Sequence, residues 1–320
     1  MLQSSTVRRL LAVLALVVGC GKGSSGEPAP IHPIQVSLPT GRIVLYGDSR
    51  PANPGEEFFM GRPDPVQERA LIIRQIASEK PDLIVHSGDL VGRGSSEGQW
   101  LRWDETHQPI LGAKIPFHVS PGNHEYAGDS TEGLRYFHQR FPSRGGWKWI
   151  AVRAGPIQFV LVDTNFDSLS TAEVSSQDAW FQKTLKDAAA DAGIKAVVVV
   201  SHHPPYTNSK VHGPSEETRR RFANTATTCP KFKLYVAGHV HNYERFLIGG
   251  VHYVVSGGGG APATGVRTSD FRTTPEFHGP EYRPFHYLMM TVGTDRATVD
   301  TFMLQDDATW KSGDRFEIPW

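Results

Sequence analysis

From Gly41 onward the chain alternates between apolar runs of strand length and longer stretches with helical spacing. That alternation restricts it to an α/β architecture. Residues 42–46, 82–86, 116–119, 195–200 and 232–236 read as strands. The run 195–200 is apolar throughout, as in a strand buried on both faces. Between the first two, Val66, Ala70, Leu71, Ile73 and Ile76 recur at helical spacing until Pro81. Further helices are expected over 99–111, 134–141, 176–192 and 215–224. The last opens at Ser215 with an imperfect capping box, because Thr218 stands where Glu or Gln would complete it. Residues 147–152 and 157–163 suggest a hairpin, and 246–255 and 287–304 suggest antiparallel strands around the glycines 257–260. The stretch after Gln305 carries no pattern, and residues 51–64 read as a loop.

Five of these runs end in residue types that can ligate metals. The endings are Gly47-Asp48-Ser49-Arg50, Gly88-Asp89, Gly122-Asn123-His124-Glu125, His202-His203-Pro204 and Gly238-His239-Val240-His241. In open α/β sheets, sites gather at the carboxyl ends of strands. Extended-chain alternation would aim His239 and His241 at one spot and turn Val240 away; it would also point His203 away from His202. Each motif alone has an ordinary reading as polar residues at a strand end, but five together do not. Carboxylates, imidazoles and one amide suit Mn, Fe or Zn better than Ca, which prefers all-oxygen shells.

This ordered set resembles the calcineurin-like metallophosphoesterase superfamily, and Gly238 to Arg245 is especially similar to purple acid phosphatases. The motifs run from Asp48 to Arg245, and the strand plan extends the likeness to near Leu304. The resemblance implies a four-layer α/β/β/α sandwich of two mixed sheets flanked by helices. It implies two divalent or mixed-valence transition metals (Fe, Mn or Zn). Asp48 and His241 would hold the first, Asp89 would bridge, and Asn123, His202 and His239 would complete the second. His124 would contact the phosphate or protonate the leaving oxygen. A metal-bridging hydroxide would then attack a phosphomonoester in line. The same core also serves phosphodiesterases, and a catalytically weak binding protein on this fold is a third reading. Two positions depart from the family pattern. Arg50 stands where many members carry a metal-binding His, and Gly92 where purple acid phosphatases carry the iron-binding Tyr. The first metal is therefore expected to have one protein ligand fewer, replaced by water or another side chain. Arg50 is read as a phosphate contact, a partner of a ligand carboxylate or an ordinary salt bridge, and His203 as a candidate substrate contact.

His86 and His118 sit in apolar strands and read as core residues. Asp163-Thr164-Asn165 reads as a turn, and Glu125 as an orienting group or an ion pair. Tyr126, Tyr206 and Tyr243 read as packing aromatics, the glycine run as a tight loop, and His286 has no assigned role. Lys+Arg and Asp+Glu are equal at 33 each, with no basic block, so no nucleic-acid partner is expected. Residues 1–19 have the form of a signal peptide, with Arg8 and Arg9 before the apolar run 10–18. Val17-Val18-Gly19-Cys20 resembles a lipobox, which implies export and a lipid anchor at Cys20. Residues 20–40 read as a tether and 41–320 as one domain. Cys229 is expected to be a buried thiol.

Overall fold

Side-chain alternation along the strands sorts the apolar residues into three cores. In β2 (Arg42–Tyr46), Ile43 and Leu45 face one way, while Val44 and Tyr46 face the other. In β7 (Ala196–Ser201), Val198 and Val200 join the same central core as Ile43, and Val197 and Val199 face the opposite layer. Each such side chain is fully buried, which stabilises by about 1.5–3 kcal/mol. The computed structural model describes residues 32–267, 273–283 and 285–320, with only the backbone for Phe59 and Met60. The signal peptide and Cys20 lie outside these residues.

The first sheet has seven strands in the order β1-β5-β6-β7-β8-β10-β9. They are β1 (Ile34–Val36), β5 (Ile150–Ala154), β6 (Ile157–Leu161), β7, β8 (Phe232–Ala237), β9 (Tyr243–Ile248) and β10 (Val251–Ser256). The second has six, in the order β13-β12-β11-β2-β3-β4, with β3 (Leu83–His86), β4 (Phe117–Val119), β11 (His286–Val292), β12 (Arg296–Leu304) and β13 (Trp310–Pro319). Both sheets are mixed, and they face each other across the central core. Helices α2 (Val66–Glu79), α3 (Glu97–Gly112) and α4 (Ser130–Arg140) cover the second sheet through Ile72, Ile76, Trp100 and Phe137. Helix α5 (Thr171–Ala190) and the segment from Glu216–Thr218 through the π-helix Arg219–Ala223 cover the first, through Trp180, Phe181 and Phe222. This is the four-layer sandwich.

Four elements differ from the sequence reading. Residues 34–36, read as tether, form β1 and pair in parallel with β5. Part of the supposed loop is helix α1 (Pro54–Met60), with Pro54 at its start and a reciprocal capping box between Asn53 and Glu56. Helix α5 begins five residues early, at a second capping box between Ser170 and Glu173. The end of the chain forms β13, the longest strand, which zips onto β12. Cys229 is a buried free thiol. Among the described residues, no helix is long and apolar enough to cross a membrane.

Candidate metal centre

Strands β2, β3 and β4 run parallel in one sheet, and β7 and β8 run parallel in the other. Their carboxyl ends meet, and there the chain leaves extended geometry. Asp48, Asp89 and His239 all have positive φ, at 60°, 60° and 68°. Non-glycine residues rarely adopt this conformation, which is concentrated at functional sites. Glycines make the crowding possible: a Cβ on Gly238 would sit 2.4 Å from Asp48 Oδ2, and one on Gly122 2.3 Å from Asp89 Oδ1.

Two groups of donors result. Asp48, Asp89 and His241 each bring a ligand atom within 4.8 Å of the others, and so do His202, His203 and His239. Asp89 joins the groups. Its Oδ1 lies 3.3 Å from His202 Nε2, and its Oδ2 lies 3.5 Å from Arg50 Nε. Asn123 Oδ1 belongs to the second group, 2.9 Å from His202 Nε2 and 3.1 Å from His239 Nδ1. His239 and His241 therefore do not aim at the one spot that alternation predicts. Strand β8 ends at Ala237, and the left-handed turn at His239 sends the two rings to different groups, with His241 Nε2 3.6 Å from Asp48 Oδ1. Val240 is fully buried and turned away, as expected.

Hydrogen bonds behind the rings show that this set fits metals. His202 Nδ1 lies 2.8 Å from the Ser87 carbonyl, and His241 Nδ1 lies 2.8 Å from the Pro262 carbonyl. Both Nδ1 atoms must donate, so each Nε2 presents a bare lone pair to the centre. His202 Nε2 then faces Asn123 Oδ1, also an acceptor, at 2.9 Å. Two opposed lone pairs at that distance suit a shared cation. Burial and the neighbouring Asp89 carboxylate push the Asp48 pKa well up, a strain that a cation would relieve. Asp89 goes the other way: against the cost of burial, His202, His124 and Arg50 hold it well below the usual carboxylate range. Burial depresses His202 and His239, and with Arg50 it takes His241 down to about 3. The neutral rings are ready to ligate.

His124 Nδ1 is 2.6 Å from the Gly92 carbonyl, which fixes the ring with Nε2 toward the cavity and 3.8 Å from Asp89 Oδ2. Gly92, the position that departs from the purple phosphatase pattern, thus orients His124 through its backbone. His203 does not point away as alternation predicted. Strand β7 stops at Ser201, and the His203 ring turns to within 4.5 Å of the His239 ring. The hydroxyl of buried Thr164 accepts from the His203 backbone N–H at 3.1 Å and meets its Nδ1 at 2.9 Å. That hydroxyl anchors the His203 ring beside the second donor group.

Among the described residues, Glu125 makes no ion pair. Its carboxylate accepts backbone N–H groups from Asp89 (2.9 Å), Leu90 (2.8 Å) and Gly122 (2.6 Å), tying two ligand loops together. Burial and Asp89 push its pKa up to about 8. Arg50 lines the cavity, forks onto Glu56 at 2.7 and 3.0 Å and turns Nε toward Asp89. Tyr126 bonds to Asp163, His86 packs against Tyr46, and the glycine run packs on the Asp48 loop through Gly259 N–H to the Gly47 carbonyl. Tyr243 and Arg245 both hold Asp314 on β13, so these two motif residues are structural. Tyr206 stacks edge-on with Tyr253, buried His118 lies on β4 away from the centre, and His286 bonds to Ser256.

The centre opens into a cavity of about 210 Å³ whose wall includes Glu56, Arg62, His124 and His212. Three of these escaped the sequence reading. Glu56 was legible in the Asn53-x-x-Glu56 capping signal, whereas Arg62 and His212 lie in patternless loops. Glu244 holds the His212 loop by accepting from Thr207 and Asn208 at 2.6 and 2.8 Å.

Comparison with known proteins agrees with this geometry. The family model for calcineurin-like phosphoesterases matches residues 41–243. "Probable inactive purple acid phosphatase 9" of Arabidopsis thaliana is 26% identical over 244 residues, 63% of this chain and 36% of that protein. "Probable glycerophosphodiester phosphodiesterase GpdQ" of Arcobacter nitrofigilis is 25% identical over 174 residues, 52% of this chain and 59% of that protein. The chain therefore spans less than two thirds of either relative's length. The structure of purple acid phosphatase PPD1 from yellow lupin superposes with a TM-score of 0.62 at 20% identity, covering 91% of this chain and 55% of that one. With the family match spanning most of the fold and both donor groups, the chain belongs to the calcineurin-like phosphoesterase family and within it resembles the purple acid phosphatases.

Proposed function

We propose that the protein is an exported dinuclear-metal phosphatase that hydrolyses phosphomonoesters. The observation that carries this reading is the position of Asp89, a single carboxylate shared by the two donor groups. Asp48, Asp89 and His241 would hold one metal; Asp89, Asn123, His202 and His239 would hold the other. When bound, the pair supplies an activated water and neutralises the phosphoryl oxygens. His124 Nε2, aimed into the cavity, protonates the leaving oxygen. His203, beside the second donor group, and Arg62, which lines the cavity, hold phosphoryl oxygens. A dianionic terminal phosphate matches this cationic wall better than a diester does. Export and lipid attachment at Cys20 rest on the sequence of residues 8–20 alone.

The test is the rate on p-nitrophenyl phosphate against bis-p-nitrophenyl phosphate, with Mn, Fe or Zn added. Faster monoester turnover supports the proposal. Faster diester turnover favours the activity named for the Arcobacter relative, and metal binding without turnover favours a binding protein.

Two further results are expected. His124→Gln lowers kcat by about a hundredfold or more on an alkyl phosphate, but by less on p-nitrophenyl phosphate, whose leaving group needs little protonation. Equal losses on both substrates would remove His124 from that role. Loading with iron gives no intense tyrosinate-to-iron absorption, because Gly92 stands at the tyrosine position and no tyrosine lines the cavity among the described residues. A purple iron form would contradict the site.

A further inference from the structure

The two halves of the centre differ in their surroundings, and the difference lies in residues outside the ligand set. Arg50 is 4% exposed. Its Nη1 donates to Glu56 Oε2 at 2.7 Å and to the Pro51 carbonyl at 2.9 Å, and its Nη2 donates to Glu56 Oε1 at 3.0 Å. Only Nε has no hydrogen-bond partner, and it faces Asp89 Oδ2 at 3.5 Å. Glu56 cannot move away cheaply: it completes the capping box of α1, accepting from Asn53 N–H at 2.9 Å while its own N–H bonds to Asn53 Oδ1 at 3.0 Å. A second guanidinium, Arg62, lies 3.5 Å from Glu56 Oε1 and 3.4 Å from His241 Nδ1, and it bonds to the Pro262 carbonyl that also orients His241. The Asp48–Asp89–His241 half thus has three donors and two fixed cations beside it. The other half has four donors, Asp89, Asn123, His202 and His239. Among the described residues, no arginine or lysine makes an ion pair or hydrogen bond with the last three of these.

We infer that Arg50, latched by Glu56, is a built-in counter-cation of Asp89 that makes the Asp48–Asp89–His241 half the weaker metal site, so that the centre loads in sequence. This rests on the dinuclear reading above. Two carboxylates would ordinarily make that half the stronger one, since ligand charge dominates the attraction for a dication. A guanidinium in contact with one of those carboxylates repels the incoming metal through a medium of low dielectric. Arg50 lines the cavity wall, but its guanidinium is taken up by Glu56, the Pro51 carbonyl and Asp89, so its role is positioning and charge compensation. Removing its charge is therefore expected to strengthen metal binding, the reverse of what loss of a ligand or a packing residue does.

Titration calorimetry of Mn into the metal-free full chain, without substrate, tests this. Wild type is expected to bind two Mn in separate steps. His241→Ala should delete the weak step and keep the tight one, and His202→Ala should do the reverse. Arg50→Met should tighten the weak step by about tenfold or more, and Arg50→Lys, which keeps a cation, should leave it near wild type. The double variant Arg50→Met with Glu56→Gln removes the buried Arg50–Glu56 pair as a unit, so neither of the two is left buried without the other, and should also tighten that step. Two steps with the weak one unchanged or weaker in both Met variants would overturn the inference and leave the dinuclear reading intact. No bound Mn in wild type would overturn both.

Discussion

Changing Asp89 to asparagine is expected to lower kcat/KM on a phosphate ester by about a thousandfold or more, equivalent to about 4 kcal/mol of transition-state stabilisation. The same change should reduce the metal content of both halves. Asparagine keeps the shape and one acceptor oxygen, so the backbone N–H of His124, 3.0 Å from Oδ1, can keep its partner. What it loses is the charge that both donor groups share. Arg50 Nε would then face an amide in place of a carboxylate, and His202 Nε2 would have a neutral neighbour. A buried cation beside a neutral group is held by Glu56 alone, which adds to the repulsion of incoming metal. Steady-state kinetics together with elemental analysis of the purified variant check this. Activity within about tenfold of wild type would mean that Asp89 does not bridge.

The second large effect is structural. Glu125→Ala is expected to destabilise the metal-free protein by about 3–6 kcal/mol, because it leaves buried backbone N–H groups of Asp89, Leu90 and Gly122 without an acceptor. For a chain of this size that corresponds to a fall in Tm of about 5–10 °C. Glu125→Gln should fall between, since one carbonyl oxygen remains but the amide group opposes an N–H. Thermal unfolding of both variants without metal gives the order. Because the N–H donors come from two ligand loops, metal affinity should fall in the same order as stability. A Glu125→Ala variant with wild-type Tm would show that these loops hold their shape without the carboxylate.

The two sheets were legible because their strands announce themselves twice, through apolar alternation and through the polar motif that ends each run. Ile43 and Leu45 against Val44 and Tyr46 illustrate the first signal, and Gly47-Asp48 the second. The failures fall where backbone geometry overrides periodicity. His239 turns left-handed, so spacing gave its neighbourhood correctly but not which donor group it joins. His203 lies two residues past the end of β7, where alternation no longer applies. Helix α1 was missed because its seven residues are too few for an amphipathic repeat, although its capping box was present in the sequence. Strand β13 was missed because Lys311, Asp314 and Arg315 interrupt the apolar signal. Phe316 and Ile318 bury into the central core and Trp310 packs against the outer one, and the strand exists through its long ladder with β12. Arg62 and His212 come from loops that only the tertiary fold brings to the cavity, and no local pattern marks such residues.

The central claim is that two metals sit on either side of Asp89. The direct measurement is an anomalous-difference map at the Mn edge, from crystals equilibrated with saturating Mn. The account predicts two peaks: one among Asp48, Asp89 and His241, and one among Asp89, Asn123, His202 and His239. A map with no peak at these residues, or with peaks that avoid Asp89, would contradict it.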